Sequence, residues 1–293
     1  MIIHYISLFA LLTFTISNAL GATTSIVPTE KYTNQHAISF INNNNDDDDN
    51  NRIFNGLKAP RGMFPSQAHI SIKYGSGLTL SCGGSLIQTN WILTAAQCVV
   101  NIKNKCDLVL DVEIILGVVN SNDNNRVVRK GITVLPYPKY NISAPVYHDI
   151  ALIKIEPIEL SQYIQLAISP PPRIENRDLI GKEVIASGFG KINDFMQTNE
   201  LHWGRMYVLD YEICRNLYNQ TLSDAFCVGT FGASSPCPGD SGSPLFYKPD
   251  KSENYVQIGV ASFGHPRSCA MGYPVFYTRV PGYLDWIHRV INK

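Results

Sequence analysis

From residue 53 onward, short runs of apolar and β-branched residues alternate with segments rich in Gly, Pro, Asn and Ser. Runs of this length that are bounded by turn residues are typical of β-strands. Apolar residues at helical spacing occur only near the C-terminus, from Tyr283 to Ile291. The pattern therefore predicts an all-β domain that ends in one helix. The clearest predicted strands are Ala68–Lys73, Val112–Leu116, Ile150–Ile155, Glu183–Ala186, Val256–Ala261 and Val275–Val280.

The first 52 residues have a different pattern. Ile6–Ile16 is a short apolar run, and small residues follow it up to Gly21. This arrangement predicts a secretory signal peptide over residues 1–21. Residues 22–52 are polar and include four consecutive aspartates, Asp46–Asp49. Such a segment cannot bury enough apolar surface to offset its chain entropy, so we interpret it as a low-complexity segment outside the folded region.

Composition and charge exclude several classes of function. The chain has 293 residues, of which 45% are hydrophobic, and 24 basic residues balance 24 acidic ones. The apolar content excludes a disordered protein, and the neutral charge excludes binding to nucleic acid or membranes by charge alone. No apolar run reaches the roughly 18 residues that a membrane-spanning helix requires. We expect a secreted globular protein without a membrane span.

Seven cysteines follow the predicted signal peptide, all of them after residue 81. In an oxidising compartment most of them are expected to form disulfides, and the odd number leaves one over. Two N-glycosylation sequons begin at Asn141 and Asn219, as expected for surface positions of a secreted protein.

Four segments carry the candidate chemistry, and their order and spacing matter more than any one of them. They are RIFNG at 52–56, LTAAQC at 93–98, HDIAL at 148–152 and CPGDSGSP at 237–244. Together they closely resemble the trypsin/chymotrypsin-like serine proteases, and the resemblance covers residues 53–293. It implies two six-stranded antiparallel Greek-key β-barrels of the chymotrypsin type with a C-terminal helix.

The resemblance assigns a role to each position of the site. Ser241 matches the nucleophile, and Asp149 matches the buried carboxylate that orients the general base. Gly239 and Ser241 match the residues whose backbone N–H groups form the oxyanion hole. Ser262 matches the residue that supports the buried aspartate.

The general base itself is missing. The family's Thr-Ala-Ala-His-Cys segment here has Gln97 in place of the histidine. A carboxamide has no nitrogen that titrates near neutral pH, so Gln97 cannot take a proton from Ser241. Its NH₂ group can still donate to Asp149, which would keep the buried carboxylate satisfied. His148 is adjacent to Asp149, but as a strand residue we expect it to face the opposite side, and His265 is expected at the pocket rim.

The specificity pocket also departs from trypsin. Ser235, six residues before the nucleophile, occupies the floor in place of an aspartate that selects Lys or Arg. Val275 replaces a glycine of the pocket wall and is expected to intrude, whereas Gly264 leaves the mouth open. We predict a shallow, uncharged or blocked pocket.

By the same resemblance, residues 22–52 form a propeptide, and cleavage after Arg52 frees the amine of Ile53 to pair with Asp240. The implied disulfides leave Cys106 as a free thiol or an intermolecular bridge, so we expect a monomer or a Cys106-linked dimer. Val118 stands where a calcium-binding carboxylate is usual, so we expect no metal and no cofactor. The implied pairs are Cys82–Cys98, Cys214–Cys227 and Cys237–Cys269.

The sequence thus predicts a catalytically inactive serine protease homologue that acts by binding proteins. A weakly active or substrate-assisted endopeptidase with non-tryptic specificity is the alternative. The disulfide set and the segments at 273–280 and 285–287 are similar to mite group 3 trypsin-like allergens. The inactivated members of that group imply host defence proteins, including complement, as partners. Clip-type homologues carry an N-terminal cysteine-rich domain, which this chain lacks between residues 1 and 81.

Overall fold

A computed structural model describes the folded region of the chain. The predicted signal peptide, the propeptide, Arg52, Ile53, Cys106 and His265 lie outside the described residues. The described residues are 56–100, 109–141, 147–171, 174, 176–192, 196, 198–219, 224–229, 235–250, 252–264, 269 and 273–293.

The first half of the folded region forms a closed antiparallel barrel. Its strands follow one another in the order β2-β3-β4-β7-β6-β5, and β5 closes the barrel against β2. The strands are Gln67–Tyr74 (β2), Thr79–Gln88 (β3), Trp91–Thr94 (β4), Val109–Leu116 (β5), Val127–Pro136 (β6) and Ala151–Ile155 (β7).

The second half forms another closed antiparallel barrel. Its order is β9-β10-β13-β12-β11-β8, with β8 paired to β9, and the short strand β1 (Leu57–Lys58) adds to β9. These two six-stranded barrels confirm the predicted fold class. The strands are Glu183–Gly188 (β8), His202–Val208 (β9), Ala225–Gly229 (β10), Pro244–Tyr247 (β11), Val256–Phe263 (β12) and Val275–Arg279 (β13).

Side-chain alternation explains how the strands build the cores. Successive residues of a strand point to opposite faces, so every second residue faces the barrel interior. In β2 the inward positions Ala68, Ile70, Ile72 and Tyr74 are all at most 1% exposed. Burying an aliphatic side chain of this size contributes roughly 1.5–3 kcal/mol, so the interior of each barrel supplies much of the stability.

The described residues contain more helix than the single C-terminal one that was predicted. That helix is present at Leu284–Ile291 (α4), but Tyr211–Tyr218 (α3) also forms a helix. Asp210 caps α3, because its side chain accepts a hydrogen bond from the backbone N–H of Glu212 at 3.0 Å. In α3 Cys214 is buried, and Tyr211, Ile213 and Tyr218 pack partly buried beside it, so the sequence analysis missed a short apolar periodicity that the segment does carry. Two further helices have four residues each, Ala96–Val99 (α1) and Asn176–Leu179 (α2).

Three disulfides cross-link these elements in the pairs that the family resemblance implies. Cys82–Cys98 joins β3 to α1, and Cys214–Cys227 joins α3 to β10. Cys237–Cys269 anchors the segment that precedes Ser241.

The two barrels are in close contact at Gly83 of β3. Its backbone N–H donates to the carbonyl of Ser241 at 2.8 Å, and its carbonyl accepts from Thr94 Oγ1 at 2.7 Å. A Cβ at this position would lie only 1.8 Å from Ser243 Oγ and 2.8 Å from Ser243 Cα. A glycine is therefore required where β3 packs against residues 241–243.

We predict that Gly83→Ala lowers the free energy of unfolding by about 2–3 kcal/mol, because overpacking a buried contact forces the backbone apart. Gly282→Ala is the matched control, since a Cβ there meets no atom within 4 Å. Denaturant unfolding of both variants and the parent checks this. Equal stability of the two variants would contradict the packing argument.

Candidate active site

Asp149 lies at the centre of the site with only 1% of its surface exposed. It precedes β7, in a tight turn where the N–H of Ile150 donates to the carbonyl of His148 at 2.8 Å. Ser262 Oγ donates to its Oδ2 at 2.6 Å, and Thr278 Oγ1 donates to its backbone carbonyl at 2.9 Å. Ser262 belongs to β12 and Thr278 to β13, so the second barrel holds a carboxylate that the first barrel supplies.

Gln97 donates two hydrogen bonds to the carboxylate of Asp149. Its backbone N–H donates to Asp149 Oδ1 at 2.8 Å, and its Nε2 donates to Oδ2 at 2.7 Å. The same Nε2 also donates to the carbonyl of Ser262. Burial raises the pKa of Asp149, and the hydrogen bonds from Ser262 and Gln97 act in the opposite direction. Both N–H bonds of the carboxamide therefore point at acceptors, and its orientation is fixed.

We expected His148 to face the side opposite Asp149 because the two would be neighbours in a strand. His148 is not part of a strand, so that reason is wrong. Its φ of 59° places it in the left-handed region, outside β7. Its Nδ1 lies 2.7 Å from the hydroxyl of Tyr283, and its backbone N–H donates to Asp224 Oδ2 at 2.8 Å. Tyr283 in turn donates to Asp224 Oδ2 at 2.6 Å. Asp224 and Tyr283 hold the turn that presents Asp149, and sequence analysis missed both.

Asp240 is buried beside the nucleophile, with 4% of its surface exposed. Its Oδ1 accepts from the N–H of Gly190 at 2.7 Å, and its Oδ2 accepts from the N–H of Cys237 at 2.9 Å. Burial raises its pKa to about 6 against the effect of these two hydrogen bonds. Its predicted partner Ile53 lies outside the described residues, so that ion pair stays a prediction.

A cavity of about 460 Å³ brings the remaining predicted positions together. Gln97, Ser235, Ser241, Gly264 and Val275 all line it. Ser235 is 2% exposed and Val275 is 5% exposed, and both are uncharged. A Cβ on Gly264 would lie 2.8 Å from Val275 Cγ1, so the valine occupies the side of the pocket that faces this glycine. The pocket is narrowed and uncharged at these positions rather than filled.

The surface positions singled out in the sequence are exposed. Asn141 pairs with Tyr147 in an isolated bridge, and Asn219 adopts a left-handed conformation at the end of α3.

In the loop after Gly117, the guanidinium of Arg126 binds a backbone carbonyl. Its Nη1 donates a hydrogen bond to the carbonyl of Asp123 at 2.9 Å. None of the helices in the described ranges is long and apolar enough to span a bilayer.

We predict that the uncleaved chain, kept intact by Arg52→Gln, loses stability as the pH rises from about 4 to about 6. The folded state raises the pKa of Asp240 to about 6, so it binds the proton more tightly than the unfolded state does. Stability is therefore fully present below the unfolded pKa near 3.9 and declines as the pH passes the folded pKa, by up to about 3 kcal/mol.

Denaturant unfolding between pH 4 and pH 7 measures how the free energy of unfolding changes with pH. His69, whose pKa burial lowers to about 4, acts in the opposite direction, because its neutral form is favoured in the fold. The comparison is therefore between the Arg52→Gln chain and the same chain with Asp240→Asn, which isolates the contribution of Asp240. Identical pH profiles for the two chains would contradict the prediction.

The chain is similar to known proteins over most of its length. The trypsin family model matches residues 53–287. A collagenase of Hypoderma lineatum is 33% identical over 240 residues, which cover 81% of this chain and 86% of that protein. Chymotrypsin-like elastase family member 1 of Homo sapiens is 31% identical over 251 residues, 82% of this chain and 92% of that protein. A solved structure of HL collagenase matches with a TM-score of 0.69 and 30% identity, over 82% of this chain and 98% of that one. On its motifs, its two barrels and these relatives, the chain belongs to the trypsin family of serine proteases.

Proposed function

We propose that this protein is a catalytically inactive member of its family that acts by binding other proteins. The observation that carries the proposal is the hydrogen bonding of the Gln97 side chain. Its Nε2 donates to Asp149 and Ser262, and a carboxamide offers no basic nitrogen to Ser241. The group that stands at the general-base position therefore satisfies the buried carboxylate but takes no proton.

The expected loss of rate is large. Removing the histidine alone from a protease of this mechanism costs on the order of 10⁶ in turnover. This factor corresponds to about 8 kcal/mol of activation barrier. A residual rate of that size is too small for a protease whose role is to turn over substrate.

No other histidine in the described part of the chain takes over the role. The described lining of the cavity contains no histidine. His148 is engaged by Tyr283 and Asp224, and His69 Nε2 lies 3.3 Å from Ser81 Oγ within the first barrel.

Residual proteolysis is the second candidate, and the retained parts of the site favour it. Ser241 lines the cavity, and Asp149 is hydrogen-bonded to the cavity-lining residues Gln97 and Ser262. The relatives named above are a collagenase and an elastase, and both names denote enzymes. A substrate that supplies its own histidine would complete the site, provided that it seats an uncharged side chain beside Val275.

We propose an extracellular location and protein partners. Three disulfides lie within the described residues, and such bonds persist in oxidising compartments. Host defence proteins, including complement, are the proposed partner class, on the resemblance to inactivated mite proteases. We also propose a glycan at the exposed sequon at Asn141, which precedes Asp149 in the sequence.

The test compares four proteins cut after Arg52: the parent, Gln97→His, Gln97→His/Val275→Gly and Ser241→Ala. A peptide library and an active-site phosphonate measure turnover and nucleophile reactivity. We expect the parent to match Ser241→Ala. We expect a gain of at least about a thousandfold in the double variant, since its triad is restored and its pocket widened. Parent turnover well above that of Ser241→Ala would refute the inactive assignment.

A further inference from the structure

An exposed apolar groove lies beside the segment that connects the two barrels, outside the candidate active site. Four large side chains line it and are 38–45% exposed, although most large apolar side chains of the described residues are buried. Its volume is about 160 Å³, and its lining shares no residue with the cavity at Ser241. These side chains, Met63, Leu166, Ile168 and Tyr255, define what we call the linker groove.

The floor of the linker groove is part of the packed interior. Ile185 of β8 and Phe246 of β11 line it and are 5% and 6% exposed. Phe64 stacks on Phe246 with ring centroids 5.9 Å apart. The groove is therefore a preformed concave surface, and exposed apolar patches of this kind mark sites that a partner covers.

The connecting segment beside the groove has backbone groups without a partner. The N–H groups of Gln165 and Ala167 donate to carbonyls in the first half of the folded region, at 3.0 and 2.7 Å. The carbonyl of Ile168 instead accepts from Gln257 of β12 at 2.9 Å. Such alternation is that of an extended strand, and it directs the N–H and C=O of Leu166 to the side of the Ile168 carbonyl. Neither group of Leu166 has a partner among the described residues, so this edge offers hydrogen bonds to an added strand.

A cation without a carboxylate partner lies close to the groove in the chain. The N–H of Met63 donates to the carbonyl of Pro60 at 3.1 Å, and Gly62 within this turn has a φ of 83°. The turn contains Arg61, whose Cζ lies 4.3 Å from the ring centroid of Tyr163. No described residue supplies Arg61 with a carboxylate. A guanidinium that is stacked but unpaired offers its N–H groups to a carboxylate from another molecule.

We propose that the linker groove binds an extended peptide segment of a partner protein that carries two apolar side chains at alternate positions, flanked by Asp or Glu. The peptide backbone pairs with the N–H and C=O of Leu166, the apolar side chains enter the groove, and the carboxylate pairs with Arg61. A lipid surface supplies no main-chain hydrogen bonds, so the unpaired groups of Leu166 favour a peptide. The proposal rests on the proposed protein-binding function and assigns it a surface outside the active site.

The test measures the binding of a synthetic peptide array to the full chain by fluorescence polarisation. Each peptide has Leu, Val or Asn at two alternate positions and Asp, Lys or Asn on either flank. We expect the apolar peptides with Asp to bind at least about tenfold more tightly than those with Lys, because only the former pair with Arg61. Methylation of the backbone nitrogen between the apolar positions is expected to weaken binding about tenfold.

Two substitutions locate the binding site. Leu166→Asp is expected to weaken binding at least tenfold, and Arg61→Glu is expected to reverse the preference from Asp to Lys. Ile132→Asp is the matched control, because Ile132 is 54% exposed on β6 and does not line the groove. It is expected to change the affinity by less than threefold. Thermal unfolding checks that each variant is folded.

Four results would overturn the proposal: apolar peptides that bind no better than their Asn counterparts, Leu166→Asp equal to Ile132→Asp, Arg61→Glu that still prefers Asp, or self-association that Leu166→Asp abolishes. Sedimentation velocity measures the last, which would assign the groove to a second copy.

Failure of the proposed function gives different results. Hydrolysis of the peptides by the parent, absent in Ser241→Ala, would refute the inactivity, and affinities measured with Ser241→Ala would still test the groove. Binding that an active-site phosphonate blocks and Leu166→Asp does not would refute the groove and leave the protein-binding function in place.

Discussion

The buried carboxylate of Asp149 is the constraint on which the rest of the site depends. A charge that is 1% exposed must be surrounded by hydrogen-bond donors, because an unpaired buried charge costs several kcal/mol. Its donors come from both barrels, Gln97 from the first and Ser262 from the second. The hydrogen bonds to this one carboxylate therefore join the two barrels directly beside the cavity that Gln97 and Ser262 line.

This constraint explains why a glutamine is compatible with an intact site. At position 97 the fold requires an N–H donor directed at Asp149 Oδ2, and the carboxamide supplies it at 2.7 Å. An apolar residue there would remove that donor and leave the carboxylate with a desolvation cost of about 1–3 kcal/mol or more. Glutamine therefore meets the structural demand on this position, which is a donor to the buried carboxylate.

The sequence was sufficient for the fold class, but not for every element. The strand at Val275–Arg279 is apolar and mostly buried, so its pattern is clear. In the strand at His202–Val208, every second residue is buried. Two of these buried positions are His202 and Gly204, so the sequence shows no apolar alternation. The strand at Val127–Pro136 is only partly buried along its length, and its composition carries little signal.

Contacts between residues far apart in the chain were beyond sequence reasoning. Asp224 and Tyr283 lie 76 and 135 positions from His148, and nothing local in the chain indicates that they hold its backbone and its ring. The turn before Ser241 is local, since its hydrogen bond joins Asp240 to Cys237 across Pro238-Gly239, but the sequence analysis identified Gly239 only through the family resemblance.

The two parts of the site thus have different origins. The proposed loss of the general base concerns one side chain, Gln97, which donates a hydrogen bond to Asp149. The turn before Ser241 depends on Pro238-Gly239, on the close approach of Gly190 and on the backbone of Lys191, so no single side chain fixes it. The inactivity proposed from Gln97 therefore requires no change in the segment that precedes Ser241, because the two features rest on different residues.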